Sequence, residues 1–92
     1  MAALSNASRL LILEWLKNPK AHFGPEHPVN EIDGVCGLYI ADKLGVTPAT
    51  ASAHLKVLTS AGFILPKRIG KYTFFKRVES AFVNLADSIS KA

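Results

Sequence analysis

The chain has a single cysteine, Cys36, and therefore no disulfide can form within it. It also lacks any run of about 18 apolar residues, the length that a membrane-spanning helix needs. The N-terminus shows no basic stretch followed by an apolar core and a cleavage site, as a signal peptide would. We therefore expect one domain, residues 1–92, that does not contact a membrane and works in the reducing cytoplasm.

Motifs of enzymes are missing as well. The sequence contains no glycine-rich phosphate loop, no nucleophile elbow and no nucleophile paired with a base. Ser52 and His54 are only two positions apart on a predicted helix, so their side chains point in different directions. We expect no enzymatic activity and no cofactor.

Acidic side chains are absent from one long block of the chain. Residues 43–78 contain seven lysine and arginine residues and no aspartate or glutamate. The remaining residues carry four basic and seven acidic side chains, so the net charge of +4 conceals a block of +7. Because phosphate neutralisation releases counterions, such a basic block is typical of a surface that binds nucleic acid.

Residues 38–63, LYIADKLGVTPATASAHLKVLTSAGF, predict two helices joined by a tight turn. Gly45 can adopt the positive φ that ends a helix, so the first helix should end at Leu44. Thr47 is a good N-cap for the second helix, and Pro48 suits its first position. A connection this short forces the helices to cross steeply, as in a helix-turn-helix, which we place at about residues 34–61.

The second helix of this pair has two different sides. Ala51, Leu55 and Leu58 recur at helical spacing, which is typical of a stripe in the core. A solvated surface helix usually mixes both charge signs on its other side, whereas this one carries no carboxylate there. We predict that this side faces DNA, and an ordinary solvated helix surface is the alternative. Its residues are Ala49, Thr50, Ala53, Lys56 and Ser60.

A basic β-hairpin, or wing, is predicted over about residues 63–78. Two runs rich in β-forming residues surround a turn at Gly70-Lys71. Pro66 cannot donate a hydrogen bond to a neighbouring strand, so it should lie on an edge strand, as in a two-stranded ribbon. The charges near the tip either contact phosphates or the minor groove, or serve only solubility. The tip residues that can contact DNA are Lys67, Arg68, Lys71 and Tyr72.

Helices are also predicted at both ends of the chain, over residues 2–17 and about 79–90. The first is apolar on nearly every side, and its Arg9 can pair with a carboxylate or with a phosphate. The end helices can either close the core or bury apolar surface against a second copy. Nearly half of the residues are apolar, so we favour a homodimer. The predicted interface residues are Leu4, Leu11, Trp15, Phe82, Leu85, Ala86 and Ile89.

Residues 18–33, NPKAHFGPEHPVNEID, contain three prolines and no helical or strand period, which predicts a loop. The first helix of the pair should then begin at Asp33 or Gly34, with Cys36 in its first turn as a buried structural residue. The metal-binding residue types here are His22, His27 and Cys36. Their spacing matches no known ligand pattern, so we predict no metal site. A metal or redox sensor that uses Cys36 and the loop histidines is the alternative.

The order helix, loop, helix-turn-helix, basic hairpin, helix is that of a winged helix-turn-helix, a mainly α fold with a small β-hairpin. The chain resembles the ArsR-type bacterial transcriptional regulators over almost its whole length. The similar segments are LSNASRLLILEWL, LGVTPATASAHLKVLTSAGFI and KRIGKYTFFK. The resemblance implies a dimeric repressor that binds a double-stranded DNA operator through recognition helix 47–60 and wing 64–77.

Metal-sensing members of that family carry a Cys-x-Cys in the helix before the recognition helix, and the matching positions here are Cys36 and Leu38. Other members place Asp and His ligands on the last helix, where this chain has Asp87 but no suitably spaced histidine. The resemblance therefore implies no metal site, and it leaves the effector open.

The alanines and Thr50 on the exposed side of the recognition helix would face base edges, and the lysine and arginine side chains would hold phosphates. Thr47 would present backbone N–H groups to a phosphate, and His54 would mainly position the helix. A winged-helix module that binds proteins instead of DNA is the remaining alternative. The full predicted DNA-binding set is Thr47, Pro48, Ala49, Thr50, Ala53, His54, Lys56, Lys67, Arg68, Lys71 and Tyr72.

Overall fold

A computed structural model of the chain describes residues 2–83. The prediction that the chain is mainly α with a small β-hairpin is confirmed, and none of the helices in this range is long and apolar enough to cross a membrane. A 3₁₀ turn comes first, and residues 79–83 are helical. The other elements are α1 Ala7–Lys17, α2 Pro19–His22, β1 Val35–Cys36, α3 Gly37–Leu44, α4 Pro48–Ser60, β2 Ile64–Ile69 and β3 Tyr72–Arg77.

The N-terminal helix predicted over residues 2–17 is divided into two parts. Ala2–Leu4 forms the 3₁₀ turn, and α1 begins only at Ala7. The boundary is set by Asn6, because its side chain accepts a hydrogen bond of 3.2 Å from the Arg9 backbone N–H. Asparagine is among the strongest N-cap residues, so a local hydrogen bond decides where the helix starts.

The segment predicted as a loop contains regular structure that the sequence did not indicate. α2 occupies part of it, with Pro19 at its first position, where the missing N–H costs nothing. Lys20 of α2 donates a hydrogen bond to Glu31, and this bond and the charge of Lys20 lower the pKa of the Glu31 carboxyl. Asn30 and Gly34 exchange two backbone hydrogen bonds of 2.8 and 2.9 Å. The loop is therefore folded, with α2 near its start and the Asn30–Gly34 hydrogen bonds near its end.

The prediction that α3 begins at Asp33 or Gly34 is wrong, since Val35–Cys36 forms a strand and α3 begins at Gly37. Cys36 is thus the N-cap residue of α3 and does not lie in its first turn. Gly34 explains the difference. Its φ is 93°, and a Cβ there would lie 2.0 Å from the carbonyl oxygen of Phe75. Only glycine lets this backbone approach β3 so closely.

The three strands form an antiparallel sheet in the order β1-β3-β2. The predicted two-stranded ribbon is therefore wrong, because β1 adds a third strand. Gly70, with a φ of 61°, begins the two-residue turn of the hairpin, and Ile69 pairs with Tyr72. β2 is an edge strand, so Pro66 interrupts no hydrogen bonding on its outer side, as predicted.

The turn between α3 and α4 has the predicted boundaries, although α3 begins later than expected. α3 ends at Leu44, and Gly45 takes the left-handed conformation with a φ of 72°. α4 begins at Pro48 after the N-cap Thr47, whose hydroxyl oxygen accepts a hydrogen bond of 3.2 Å from the backbone N–H of Thr50. The two helices pack against each other across this turn. The local punctuation of the sequence is thus sufficient to define this unit.

The core lies between α1, α4 and the sheet. The predicted stripe of α4 is confirmed, since Ala51, Leu55 and Leu58 are 1%, 3% and 0% exposed. Burying a leucine of this kind stabilises a domain by roughly 1.5–3 kcal/mol, which fixes the rotation of α4 about its axis. The main residues packed around them are Ile12, Leu13, Leu16, Val35, Ile40, Phe63, Ile64 and Phe75.

Candidate nucleic-acid interface

The side of α4 opposite the core stripe is open to solvent. All five residues predicted for this side are exposed, and none of them is acidic. The hydroxyl of Thr47 donates a hydrogen bond of 3.0 Å to the Thr50 hydroxyl oxygen, which leaves the Thr50 proton free to be donated outward. The surface is smooth and slightly cationic. The residues on it are Ala49, Thr50, Ala53, Lys56 and Ser60.

The wing lies beside the N-terminal half of α4. Pro48 and Ser52 of the helix and Lys71 and Tyr72 of the wing line the same cleft. Helix and wing therefore form one continuous surface, in which the wing tip is next to the start of the recognition helix. Of the predicted DNA-binding residues, Pro48, Lys71 and Tyr72 are brought together in this cleft.

The basic residues of the wing differ in their surroundings. Lys67 and Arg68 are neighbours in β2, so their side chains point to opposite faces of the hairpin. The Nε–H of Arg68 donates a hydrogen bond of 2.9 Å to the carbonyl oxygen of Gly70, which supports the turn. Lys71 is exposed in the turn itself. Arg68 therefore has a structural contact in addition to its charge, and Lys71 has its charge available at the tip.

Three cations of the acid-free block contact other elements of the domain. Lys43 Nζ lies 5.1 Å from the ring centroid of Trp15. Lys76 donates a hydrogen bond of 3.3 Å to the carbonyl oxygen of Ile32, and Arg77 donates one of 2.9 Å to that of Leu13. The four remaining cations are exposed on α4 and the wing, and they are the four predicted to hold phosphates: Lys56, Lys67, Arg68 and Lys71.

His54 lies on the flank of α4 that faces the N-terminal segment, and it is only half-exposed. Its Nδ1 is 3.3 Å from Nη1 of Arg9, and arginine can only donate, so Nδ1 accepts and the neutral ring carries its proton on Nε2. Arg9 also donates to the carbonyl oxygens of Ala3 at 2.8 Å and Ala2 at 3.1 Å. Among residues 2–83, Arg9 therefore forms no ion pair with a carboxylate.

This role of Arg9 was not predicted from the sequence. Arg9 and His54 are 45 positions apart in the sequence. No periodicity or spacing pattern predicts a contact between two side chains on different helices. Its only signal was that Arg9 is the one cation near the start of the first helix. In the structure, Arg9 links the 3₁₀ turn to the recognition helix and holds the imidazole of His54 in one orientation.

The three candidate metal-binding residues are not brought together. Cys36 is buried, as expected for a structural cysteine, with 4% of its surface exposed. His27 Nε2 is 2.7 Å from a carboxylate oxygen of Asp42, and its ring packs on Tyr39 with centroids 4.9 Å apart. Within residues 2–83, no three histidine, cysteine or acidic side chains lie close enough to hold a metal ion.

The predicted dimer-interface residues fall into two groups. Leu11 on α1 is 47% exposed, and its neighbour Leu10, which the sequence analysis did not include, is 50% exposed. Leu4, Trp15 and Phe82 are half-buried. Trp15 packs on Phe23 and Phe82 packs on Phe63 within the domain. Three predicted interface residues lie outside the described residues: Leu85, Ala86 and Ile89. Asp87 lies outside them as well.

A curated relative now decides the family. The chain is 52% identical over 86 residues to an uncharacterized HTH-type transcriptional regulator, YbzH, of Bacillus subtilis (strain 168), and the match covers 92% of this chain and 86% of that protein. The chain belongs to the HTH-type transcriptional regulators. This is a family of regulators and not of enzymes, so the prediction of no enzymatic activity is confirmed. No family model matches the regulator.

Solved structures agree with this assignment at the level of the fold. The regulator superimposes with a TM-score of 0.73 on a possible transcriptional regulator for arsenical resistance, at 16% identity, covering 98% of this chain and 79% of that one. It superimposes on NolR from Sinorhizobium fredii with a TM-score of 0.65 and 21% identity, covering 98% and 76%. The winged-helix fold is confirmed, and the likeness to ArsR-type regulators agrees with the first of these structures.

Proposed function

We propose that this regulator is a dimeric repressor that binds operator DNA in the cytoplasm, with α4 in the major groove and the wing against the flanking backbone. The observation that carries the proposal is the exposed side of α4, which is free of carboxylates and adjoins a wing whose tip region carries three exposed cations, Lys67, Arg68 and Lys71. A helix fits the major groove, and its small side chains let the backbone come close to the bases. The small side chains of this surface and its positive charge therefore both favour contact with DNA.

Thr50 would be the main residue of this surface that recognises the DNA base sequence. Its hydroxyl oxygen already accepts from Thr47, so its proton can be donated to an acceptor on a base edge. The methyl groups of Ala49 and Ala53 can contact thymine methyl groups. These side chains are short, so direct readout is limited, and the sequence-dependent shape of the operator is expected to contribute to specificity.

Phosphate contacts would supply much of the affinity. Lys56 is exposed on α4 and Lys71 is exposed at the wing tip, and the first backbone N–H groups of α4 add a further donor site near Thr47. His54 can donate from Nε2, because Arg9 occupies Nδ1. Contacts of this kind set the register of the protein on DNA without selecting a sequence.

The first test is selection of bound duplexes from random DNA, followed by fluorescence anisotropy with a selected duplex over a range of salt concentrations. Lys71→Ala should weaken binding to selected and random duplexes alike and reduce the slope of log affinity against log salt by about 0.9, the value for one phosphate contact. Lys17→Ala removes the same charge from the end of α1 and should leave the slope unchanged.

An unchanged slope in Lys71→Ala would remove the wing tip from the interface. If no duplex binds with a salt dependence, the DNA-binding proposal fails and the protein-interaction alternative is favoured. A reporter gene under the selected operator then separates repression from activation, since a repressor lowers expression when it is supplied.

The second test concerns the dimer, which the exposed Leu10 and Leu11 of α1 support. A pair of half-exposed leucines on one helix is an apolar surface that a second copy could cover in a symmetric interface. Leu11→Glu should convert the protein to a monomer in analytical ultracentrifugation and weaken binding to a palindromic duplex. Ile32→Glu, at a residue that is 76% exposed in the 30–34 turn, is the matched control. A Leu11→Glu protein that sediments like the parent would contradict this interface.

A further inference from the structure

A cleft of about 320 Å³ separates the wing from the recognition helix. Its walls come from the first half of α4, the start of α3 and strand β3 with the wing tip. The proposed base-reading residues Ala49, Thr50 and Ala53 are not part of its lining. The cleft therefore lies on the flank of α4 beside the proposed base-reading residues, and it shares Pro48, Lys71 and Tyr72 with the predicted DNA-binding set.

The lining has an apolar interior and a polar, cationic mouth. Leu55 and Phe75 form part of the interior, and the thiol of Cys36 adds a weakly polar surface. Ser52 and Thr73 contribute hydroxyl groups, and Lys71 contributes an ammonium group. No acidic residue lines the cleft. This combination suits a ligand with an apolar body and a negative charge.

Two large side chains at this cleft are unusually exposed. Leu38 is 47% exposed and Tyr72 is 50% exposed, although both line the cleft. An apolar ligand body between them would remove this surface from water. The volume is adequate, because an apolar cavity of about 150 Å³ is known to hold benzene, so about 320 Å³ accommodates a ring with a carboxylate and one further substituent.

We propose that this cleft binds a small amphipathic anion, of the class of aromatic monocarboxylates, and that binding lowers the affinity of the regulator for DNA. The inference rests on the proposed function for its second half only. The ring lies against Leu55 and Phe75, and the carboxylate pairs with Lys71. Lys71 then cannot pair fully with a DNA phosphate, and the ligand also fixes the distance between wing and helix.

The binding test is a titration of the isotope-labelled full chain followed by two-dimensional NMR. Sodium benzoate should shift the backbone amides of Leu38, Ser52 and Tyr72 in a saturable way. Benzamide keeps the ring without the charge, and sodium acetate keeps the charge without the ring. Both should shift these amides less at equal concentration. Benzamide lacks the carboxylate that pairs with Lys71, and acetate lacks the ring that contacts the apolar interior of the cleft.

Two variants separate the cleft from general charge effects. Ser52→Phe fills the cleft from the α4 wall, and Thr73→Leu replaces a polar group on the β3 wall with a larger apolar one. Neither residue belongs to the proposed DNA-binding set, and each folded variant should lose the saturable benzoate shifts. Two variants on different elements keep the test informative if one of them fails to fold.

Equal shifts with benzoate and acetate would overturn the proposal, since they would indicate a lysine that attracts any anion. Amide shifts that saturate with inorganic phosphate but not with benzoate would also overturn the proposal. They would indicate that the cleft binds the phosphate backbone of DNA. Benzoate should weaken duplex binding about 5-fold or more, the lower end of usual coupling between sites. The NMR titration contains no DNA, so benzoate binding without any duplex binding would defeat the proposed function and leave the ligand site standing.

Discussion

Replacing Gly34 by alanine should destabilise the regulator severely, although the change adds a single methyl group. The new Cβ would lie 2.0 Å from the carbonyl oxygen of Phe75, whereas real Cβ contacts are essentially never below 3.0 Å. The backbone of β1 or β3 must therefore move by about 1 Å. That movement breaks the β1–β3 pairing, in which Val35 faces Phe75 and Cys36 faces Phe74.

The expected magnitude follows from two costs. Alanine in the left-handed conformation costs roughly 1–2 kcal/mol, and Gly34 has a φ of 93°. Loss of two strand hydrogen bonds costs about 0.5–1.5 kcal/mol each. The free energy of unfolding should thus fall by about 3 kcal/mol, which lowers the Tm by roughly 12–24 °C for a domain of this size.

The assay is urea and thermal unfolding at one fixed protein concentration, followed by Trp15 fluorescence and circular dichroism. Two matched variants grade the effect. A Cβ at Gly24 meets no atom within 4 Å at a φ that is not positive, so Gly24→Ala should change stability by at most about 1 kcal/mol. Gly45 also has open space but a φ of 72°, so Gly45→Ala should lose only the conformational cost. The reasoning is refuted if Gly34→Ala is no more costly than Gly45→Ala.

Three further predictions concern α4 and Arg9, which contacts it. Thr47→Ala removes the N-cap hydrogen bond of α4 and should lower the free energy of unfolding by about 1 kcal/mol in urea titrations, whereas Thr47→Ser should retain most of it. Thr50→Ala should bind random duplexes as the parent does but discriminate a selected operator less well, and equal discrimination would exclude Thr50 from readout. Arg9→Ala should free the His54 ring, detectable as altered imidazole NMR signals, and should weaken operator binding more than Lys17→Ala does. Parental His54 signals in that variant would contradict the link.

The helix-turn-helix was predictable because its boundaries depend on local chemistry. Gly45, Thr47 and Pro48 each act within one turn of the chain, and the structure places helix ends where these residues predict them. The apolar stripe of α4 was equally readable, since spacing along a helix determines which side chains share a face. Exposure of the opposite side follows from the same period.

Strand β1 and the role of Arg9 were not predictable in this way. A two-residue strand has no detectable period, and β1 exists only because β3, some 40 residues later, supplies its hydrogen-bonding partner. The same applies to the distribution of the cations. The composition of residues 43–78 shows seven cations without distinguishing them. Only packing decides that Lys43, Lys76 and Arg77 contact other elements of the domain.

The sequence by itself thus determined the class of fold, the turn of the helix-turn-helix and the positive charge of residues 43–78. Capping, turn and periodicity signals act over a few residues, and a charge block is a property of composition. Tertiary structure alone decided which cations contact other elements of the domain, that Arg9 hydrogen-bonds to His54, and that a cleft opens between α4 and the wing. These features depend on contacts between residues distant in the chain, and no local pattern records such contacts.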